Sequence, residues 1–471
     1  MPLDQERIAA IVSEVLERLD AGGGAGGAAA PKGVHADLDQ AVAAAREAFR
    51  AYDRTPLETR RRIIAAVREA LATQYEMLAR LAVEETGLGR VADKVAKNRL
   101  VTERTPGTED LEPATWTGDH GLTLMERAPY GVIASLTPVT NPSETIINNG
   151  ISMIAGGNTA VFCPHPSARR VSCLTVDLVN RAALRSGAPL PLLHTVAEPS
   201  IEVAKALLNY PGIRLNVVTG GGAVVQEALA AGKKAITAGP GNPPSVVDET
   251  ADLERAARDL VAGASFDNNI ICVDEKEVVA VAMIADRLKE ALARAGATVL
   301  APHQAEQVRR LVLAKEHGPR RHADVDRRWV GRDAGVILRA AGVSCDPATR
   351  LAVCEVDADH PFLWTEMMMP VLPLVRVRTV DEAIEFAIEV EQDCRHTASM
   401  HSRNIDKLSA MARRCDCSVF VKNGPHYAGL GFGGEGPTSF TIASPTGEGL
   451  TTARTFTRMR RCTLVDHFRI V

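Results

Sequence analysis

Residues Leu215 to Ala230 read LNVVTGGGAVVQEALA, a short β-rich run that passes through three glycines into a helical pattern. That succession is the strand–turn–helix step of an α/β sheet, and the unpaired N–H groups at such a helix start can hold a phosphate. Gly220 and Gly222 supply G-x-G. Val225 stands where a dinucleotide fingerprint has its third glycine, and no acidic residue ends the next strand to take a ribose, so a plain tight turn stays open as a reading. The same alternation extends on both sides. Strands are expected at Val132–Leu136, Thr159–Phe162, Leu193–Val196, Leu215–Val218 and Ala235–Thr237, with helical patterns beginning near Ser143, Ser167, Ser200 and Gly222. Short apolar strands alternating with helices predict an α/β fold with a parallel sheet covered on both faces and ligands at the carboxyl ends of its strands.

A second α/β block runs from about Ala251 to Tyr427, and the glycine-rich stretch Gly429 to Gly449 leads to a last strand read as Cys462 to Val465. Before the first sheet, Leu38 to about Leu100 is helical in pattern, notably Leu38–Tyr52 and Glu58–Leu71. Thr115 to Pro129 then reads as a protruding hairpin that turns at Gly118-Asp119-His120-Gly121. The first element is separable. Ile8, Val12, Val15, Leu16 and Leu19 recur at helical spacing, and Ala21 to Gly33 (AGGGAGGAAAPKG) follows as a flexible tether. Such a helix needs a partner: its own domain, another copy, or another protein.

The 471 residues suit two or three domains, and 46% hydrophobic with 24% charged residues is an ordinary globular balance. A net charge of −4 gives no bulk attraction to nucleic acid or an anionic membrane. Nine cysteines without a signal peptide fit a reducing cytosol, and no apolar run reaches the roughly 20 residues that span a bilayer. Within Ser265–Val281, Cys272 lies between the polar turn Asp267-Asn268-Asn269 and a β-rich run, a place for a nucleophilic thiol or for core filling. Cys415 and Cys417 form an unmatched C-x-C, Met367–Met369 read as core, and the arginines of 309–328 alternate with acids as a solvated face.

Three stretches carry a resemblance: APYGVIASLTPVTNPSETIINNGISMIAGGNTAVFCPHPSARR from Ala128, SFDNNIICVDEKEV around Cys272, and KNGPHYAGLGFGGEGPTSFTIASPTGEGLTTARTFTRMRRC from Lys422. Together they resemble the aldehyde dehydrogenase superfamily, most closely its CoA-acylating branch of bacterial microcompartments, over roughly Leu38 to Val471. The resemblance implies that Cys272 is the nucleophile, that Gly220, Gly221 and Gly222 meet the cofactor pyrophosphate with Thr219 also cofactor-binding, and that Glu366 contacts the nicotinamide ribose. Cys163, Pro164 and His165 fall at the adenosine ribose. In LTPVTNP a gap-free match sets Thr140 at the oxyanion position; Asn141, one residue on, is taken for that role because an amide is the better donor, with Thr140 on the cofactor side. His426 is a candidate base, though its loop position favours a structural role.

Two departures are informative. Hydrolytic members carry a water-activating Glu where this chain has Ala238, and a ribose-binding Lys and Glu where it has Cys163 and Pro166. The resemblance therefore implies oxidation of a short-chain aldehyde of the propionaldehyde or acetaldehyde type with NAD and coenzyme A, giving acyl-CoA and NADH. A hydrolytic dehydrogenase and a catalytically silent scaffold of the compartment lumen are the alternatives. The expected organisation is a targeting helix (1–20), a linker (21–33), a Rossmann-type cofactor domain (34–112 and 130–250), an α/β catalytic domain (251–444) and a small β oligomerisation element (113–129 and 445–471). The expected setting is cytoplasmic, inside a microcompartment, as a dimer or tetramer whose N-terminal helix docks on shell proteins.

Overall fold

A computed structural model describes residues 30–471, so the N-terminal helix and most of the tether lie outside the described residues. The chain divides into two compact units. The first takes the described residues up to Thr86, then Val95–Ala238 and Pro437–Val471; the second takes Gly87–Lys94 and Gly239–Gly436.

The first unit is built on six parallel strands, in spatial order Val34–His35, Leu193–Val196, Thr159–Pro164, Val132–Thr137, Leu215–Thr219 and Lys234–Ala238. The three strands beginning at Val132, Thr159 and Leu193 are buried along their whole length, which is why they read as apolar runs without alternation. Val132, Ala134 and Leu136 point to one face, where Ala41, Val42 and Ala45 of the helix Leu38–Tyr52 meet Leu207, Leu208, Val225 and Ala228. On the opposite face Ser135 meets Asn149 of the helix Pro142–Ala155, every residue of which is buried. Chain order leaves Val132–Thr137 for one neighbour and returns to Leu215–Thr219 on its other side, so the sheet has a switch point between these two strands.

Two expectations change here. The sequence places Gly33 at the end of the tether, yet it is packed: at φ +85° a Cβ would lie 2.2 Å from Leu193 O, while Lys32 N–H donates to Asp177 Oδ1 at 2.6 Å. The last strand is Thr457–Val465, longer than the Cys462–Val465 read from sequence, and it pairs antiparallel along all of Gly121–Pro129. Seven of its nine residues are exposed, so backbone pairing and not burial defines it, and the sequence carries no alternation to mark its start.

The second unit holds seven parallel strands in the order Thr298–Leu300, Ala352–Val356, Val371–Val377, Glu277–Val281, Pro244–Val247, Thr397–His401 and Val419–Lys422. Its core gathers Val246, Val279, Leu288, Leu372, Ile384 and Met400 among others, and Met367 and Met369 fill an adjoining cluster, as their apolar character suggested. No helix among the described residues is long and apolar enough to cross a membrane.

Candidate active site

In the first unit, three of the expected binding segments sit at the carboxyl ends of adjacent strands. Thr140 and Asn141 follow Val132–Thr137, Cys163 to His165 end or follow Thr159–Pro164, and Thr219 to Gly222 end or follow Leu215–Thr219. The crevice at the switch point is where open α/β sheets bind ligands. A Cβ built at Gly220, Gly221 or Gly222 meets nothing within 4 Å, so this chain's own packing asks for no glycine there; the vacant shell fits a pyrophosphate against backbone. Gly221 gives the helix Gly222–Ala230 no side-chain cap, leaving its first N–H groups for a ligand. Thr219 is fixed by its hydroxyl contact with Thr441 Oγ1 at 2.8 Å. Cys163 belongs to the apolar cluster and burial pushes its thiol up to about 12, and Pro164 is buried as well, so His165 is the exposed side chain of the three.

Asn141 is oriented by a buried lysine that the sequence did not announce. Lys97, fully buried, donates through Nζ to Asn141 Oδ1 at 2.6 Å and pairs with Glu144 at 3.3 Å. An ammonium has only donors, so it must face the amide oxygen. The NH2 end of Asn141 is thereby the other end, within 3.1 Å of Thr140 Oγ1, and is the end an oxyanion would use.

In the second unit, Cys272 follows the turn Phe266–Asn269, in which Asp267, Asn268 and Asn269 take left-handed φ of 46°, 56° and 65°. Asp and Asn tolerate this region better than most residues, and each is anchored. Asp267 carboxylate oxygens accept from Arg90 N–H (2.7 Å) and buried Lys94 (3.1 Å), while its own N–H donates to Asp93 (3.0 Å). Asn269 Nδ2 donates to Ala264 O and Glu275 O, both at 2.9 Å. Lys276 Nζ donates to Asn269 O, Asn269 Oδ1 and Ile271 O at 2.9, 2.8 and 3.2 Å, and Ile271 N–H donates to Asp274 at 3.1 Å. The loop is held on both sides of Cys272 while the cysteine itself stays half-buried.

Burial, with the Glu366 charge as the next cause, pushes the Cys272 thiol up to about 12. Glu366 is itself raised by burial, opposed by Lys276 and by the Gly241 N–H. The structure thus brings Cys272, Glu366 and Lys276 into one electrostatic cluster. Gly241 is pressed between two members of this site: a Cβ there would lie 2.9 Å from His396 Cγ and 3.1 Å from Cys272 O. His396 is buried with its Nδ1 2.9 Å from Thr397 Oγ1 and Nε2 without a partner, and burial lowers it to about 4, so the ring is neutral near pH 7. Nothing in CRHTASMH, where it stands, signals this placement.

His426 has no nitrogen to spare. Its Nδ1 lies 2.8 Å from Val273 O, an acceptor only, so Nδ1 carries the proton and Nε2 accepts from Ser399 Oγ at 2.7 Å. Its backbone N–H donates to Glu275, whose carboxyl burial pushes up to about 8. His426 is therefore structural. Ala238 ends its strand as a buried methyl and carries no carboxylate.

The aldehyde dehydrogenase family model matches residues 13–451, and the chain belongs to that family. Within it, the chain groups with CoA-acylating enzymes. It is 53% identical to the acetylating acetaldehyde dehydrogenase EutE of Salmonella typhimurium over the whole of both chains. The propionaldehyde dehydrogenase of Rhodopseudomonas palustris, solved with bound CoA and an acylated cysteine, is 49% identical; the match covers 92% of this chain and 98% of that one at a TM-score of 0.89. The propionaldehyde dehydrogenase of the Clostridium phytofermentans fucose-utilisation microcompartment is 44% identical, covering 93% and 100% at a TM-score of 0.91.

Proposed function

We propose that this enzyme oxidises a short-chain aldehyde with NAD and transfers the acyl group to coenzyme A, and that Cys272 carries the acyl group between the two steps. The observation that carries this reading is the half-buried thiol on a loop pinned at Asn269, Ile271 and Asp274. Cys272, its proton given up to solvent, adds as the thiolate to the aldehyde carbonyl, and its own N–H and the NH2 of Asn141, in the role the resemblance assigns it, stabilise the oxyanion. Thr219 and Gly220–Gly222 would hold NAD and Glu366 would meet its nicotinamide ribose, and the bound nicotinamide would supply the hydride acceptor. The CoA sulfur then attacks the resulting thioester carbonyl, and the acyl–Sγ bond of Cys272 breaks, releasing acyl-CoA and returning the Cys272 thiolate. Neutral His396, with Nε2 unpartnered, takes the thiol proton.

Water needs a positioned base to compete for a thioester, and Ala238 offers none. With a short aldehyde and NAD but no CoA, NADH should therefore appear as a burst of about one equivalent of active sites, followed by slow turnover. Adding CoA should restore steady turnover with acyl-CoA as product. Equal steady rates without CoA, yielding free acid, would make the enzyme hydrolytic. A silent scaffold would give no NADH under either condition.

Docking of residues 1–20 on shell proteins, residence in a microcompartment within the cytoplasm, and assembly into a dimer or tetramer belong to the same proposal. Support for docking is the apolar stripe on a glycine tether; support for assembly is the exposed Met459, Leu464, Val465 and Phe468 on and beyond the last strand. Deleting residues 1–29 should leave activity intact and abolish co-localisation with shell proteins. Normal encapsulation of the truncated enzyme would refute the targeting role.

A further inference from the structure

We propose that Glu391 is a positioning residue, whose buried carboxylate holds the turn 392–396 in the one conformation that presents His396 to the Cys272 loop. This inference rests on the reading of His396 as the base toward the CoA thiol. Glu391 ends the helix Val380–Glu391 and is only 4% exposed. Its Oε1 accepts the His396 N–H at 2.8 Å, and the N–H groups of Arg395 and Cys394 face the same carboxylate. The turn it spans contains three left-handed residues that are not glycine, Gln392 (φ 58°), Asp393 (φ 58°) and Arg395 (φ 52°). L-residues with these side chains persist in that region only when the surroundings dictate it.

The other anchors of the turn act elsewhere. Ser418 N–H donates to Arg395 O at 2.9 Å, Val419 N–H to His396 O at 3.1 Å, and Gln392 Nε2 to Trp364 O at 3.2 Å. They fix carbonyls and the outer rim, whereas the His396 N–H is held by the Glu391 carboxylate and the Cys394 N–H donates to the Glu391 backbone carbonyl at 3.3 Å. A carboxylate suits that task because both oxygens only accept. A glutamine would fill the same volume but would turn an NH2 group toward those backbone donors. Since His396 is already confined between Gly241 and Thr397, a small shift of its backbone displaces Nε2 from the thiol it must deprotonate.

The test compares Glu391→Gln, Glu391→Asp and His396→Ala in the full chain. Acyl-enzyme formation is read as the NADH burst without CoA, and acyl transfer as CoA-dependent steady turnover across pH. Glu391→Gln should keep the burst and lose about 100-fold in CoA-dependent kcat, the scale of a misplaced catalytic group. It should also alter the kcat pH profile in the same sense as His396→Ala, and Glu391→Asp, which keeps the charge, should recover part of the loss. If His396→Ala leaves CoA-dependent turnover unchanged, the reading of His396 as base fails and the inference falls with it. If His396→Ala slows acyl transfer and Glu391→Gln does not, the base stands and the positioning role is overturned. A parallel loss of burst, turnover and thermal midpoint in both Glu391 variants would make the residue merely structural.

Discussion

Cys272→Ala is expected to reduce steady NADH formation by at least about 1,000-fold, because no other group on the loop can form and release a thioester. The fold should survive the change. The loop's conformation is set by Lys276, Asn269 and Asp274, none of which bonds through the Cys272 thiol, and removing one half-buried sulfur costs about 1 kcal/mol or less. NAD should still bind, since the segments assigned to the pyrophosphate lie in the first unit. Mass spectrometry of the wild-type enzyme with aldehyde and NAD, withheld from CoA, should place the acyl group on Cys272. An adduct on another cysteine, or substantial turnover in the variant, would overturn the assignment.

The second large effect is on stability. Lys94→Met should destabilise the protein by about 3–5 kcal/mol, read as a lower urea midpoint, because it removes the ammonium paired with buried Asp267 at 3.1 Å. Both side chains are fully buried, and the Arg90 N–H that donates to the same carboxylate at 2.7 Å carries no charge to replace the ammonium. Catalysis should fall as well, since Asp267 opens the left-handed run that leads to Cys272. Adding Asp267→Asn to Lys94→Met should recover much of the lost stability, as replacing both partners removes the stranded charge. An unchanged midpoint in the single variant would show that this pair does not hold the turn.

The first sheet was legible because its central strands are buried on both faces and separated by helices of ordinary length. Each strand expected between Val132 and Thr237 is present within a few residues, and Leu38–Tyr52 forms as read. Less legible was the second sheet, where Pro244–Val247 enters the middle of a set of strands that follow it by tens of residues. Four residues without alternation cannot announce such a register. At the site, the polar turn before Cys272 was visible because Asp and Asn in sequence favour the left-handed region. The groups that hold the site residues were not: Lys94 and Lys276 at this turn, Lys97 at Asn141 and Glu391 at His396 are charged, and charge in a sequence reads as a solvated face. Their burial is decided by partners far along the chain, such as Lys94 with Asp267 and Lys97 with Asn141.

The glycines at 220–222 show that one chain can answer to two different selections. Nothing among the described residues crowds their missing side chains, and at Gly222, the first residue of its helix, alanine would be the better helix former. The dinucleotide proposed above, pressed close to backbone, would account for them. Stability of the ligand-free protein and tolerance of the bound cofactor therefore pull this turn in opposite directions, and a variant library ranked by melting alone would enrich the sequences least able to hold a dinucleotide.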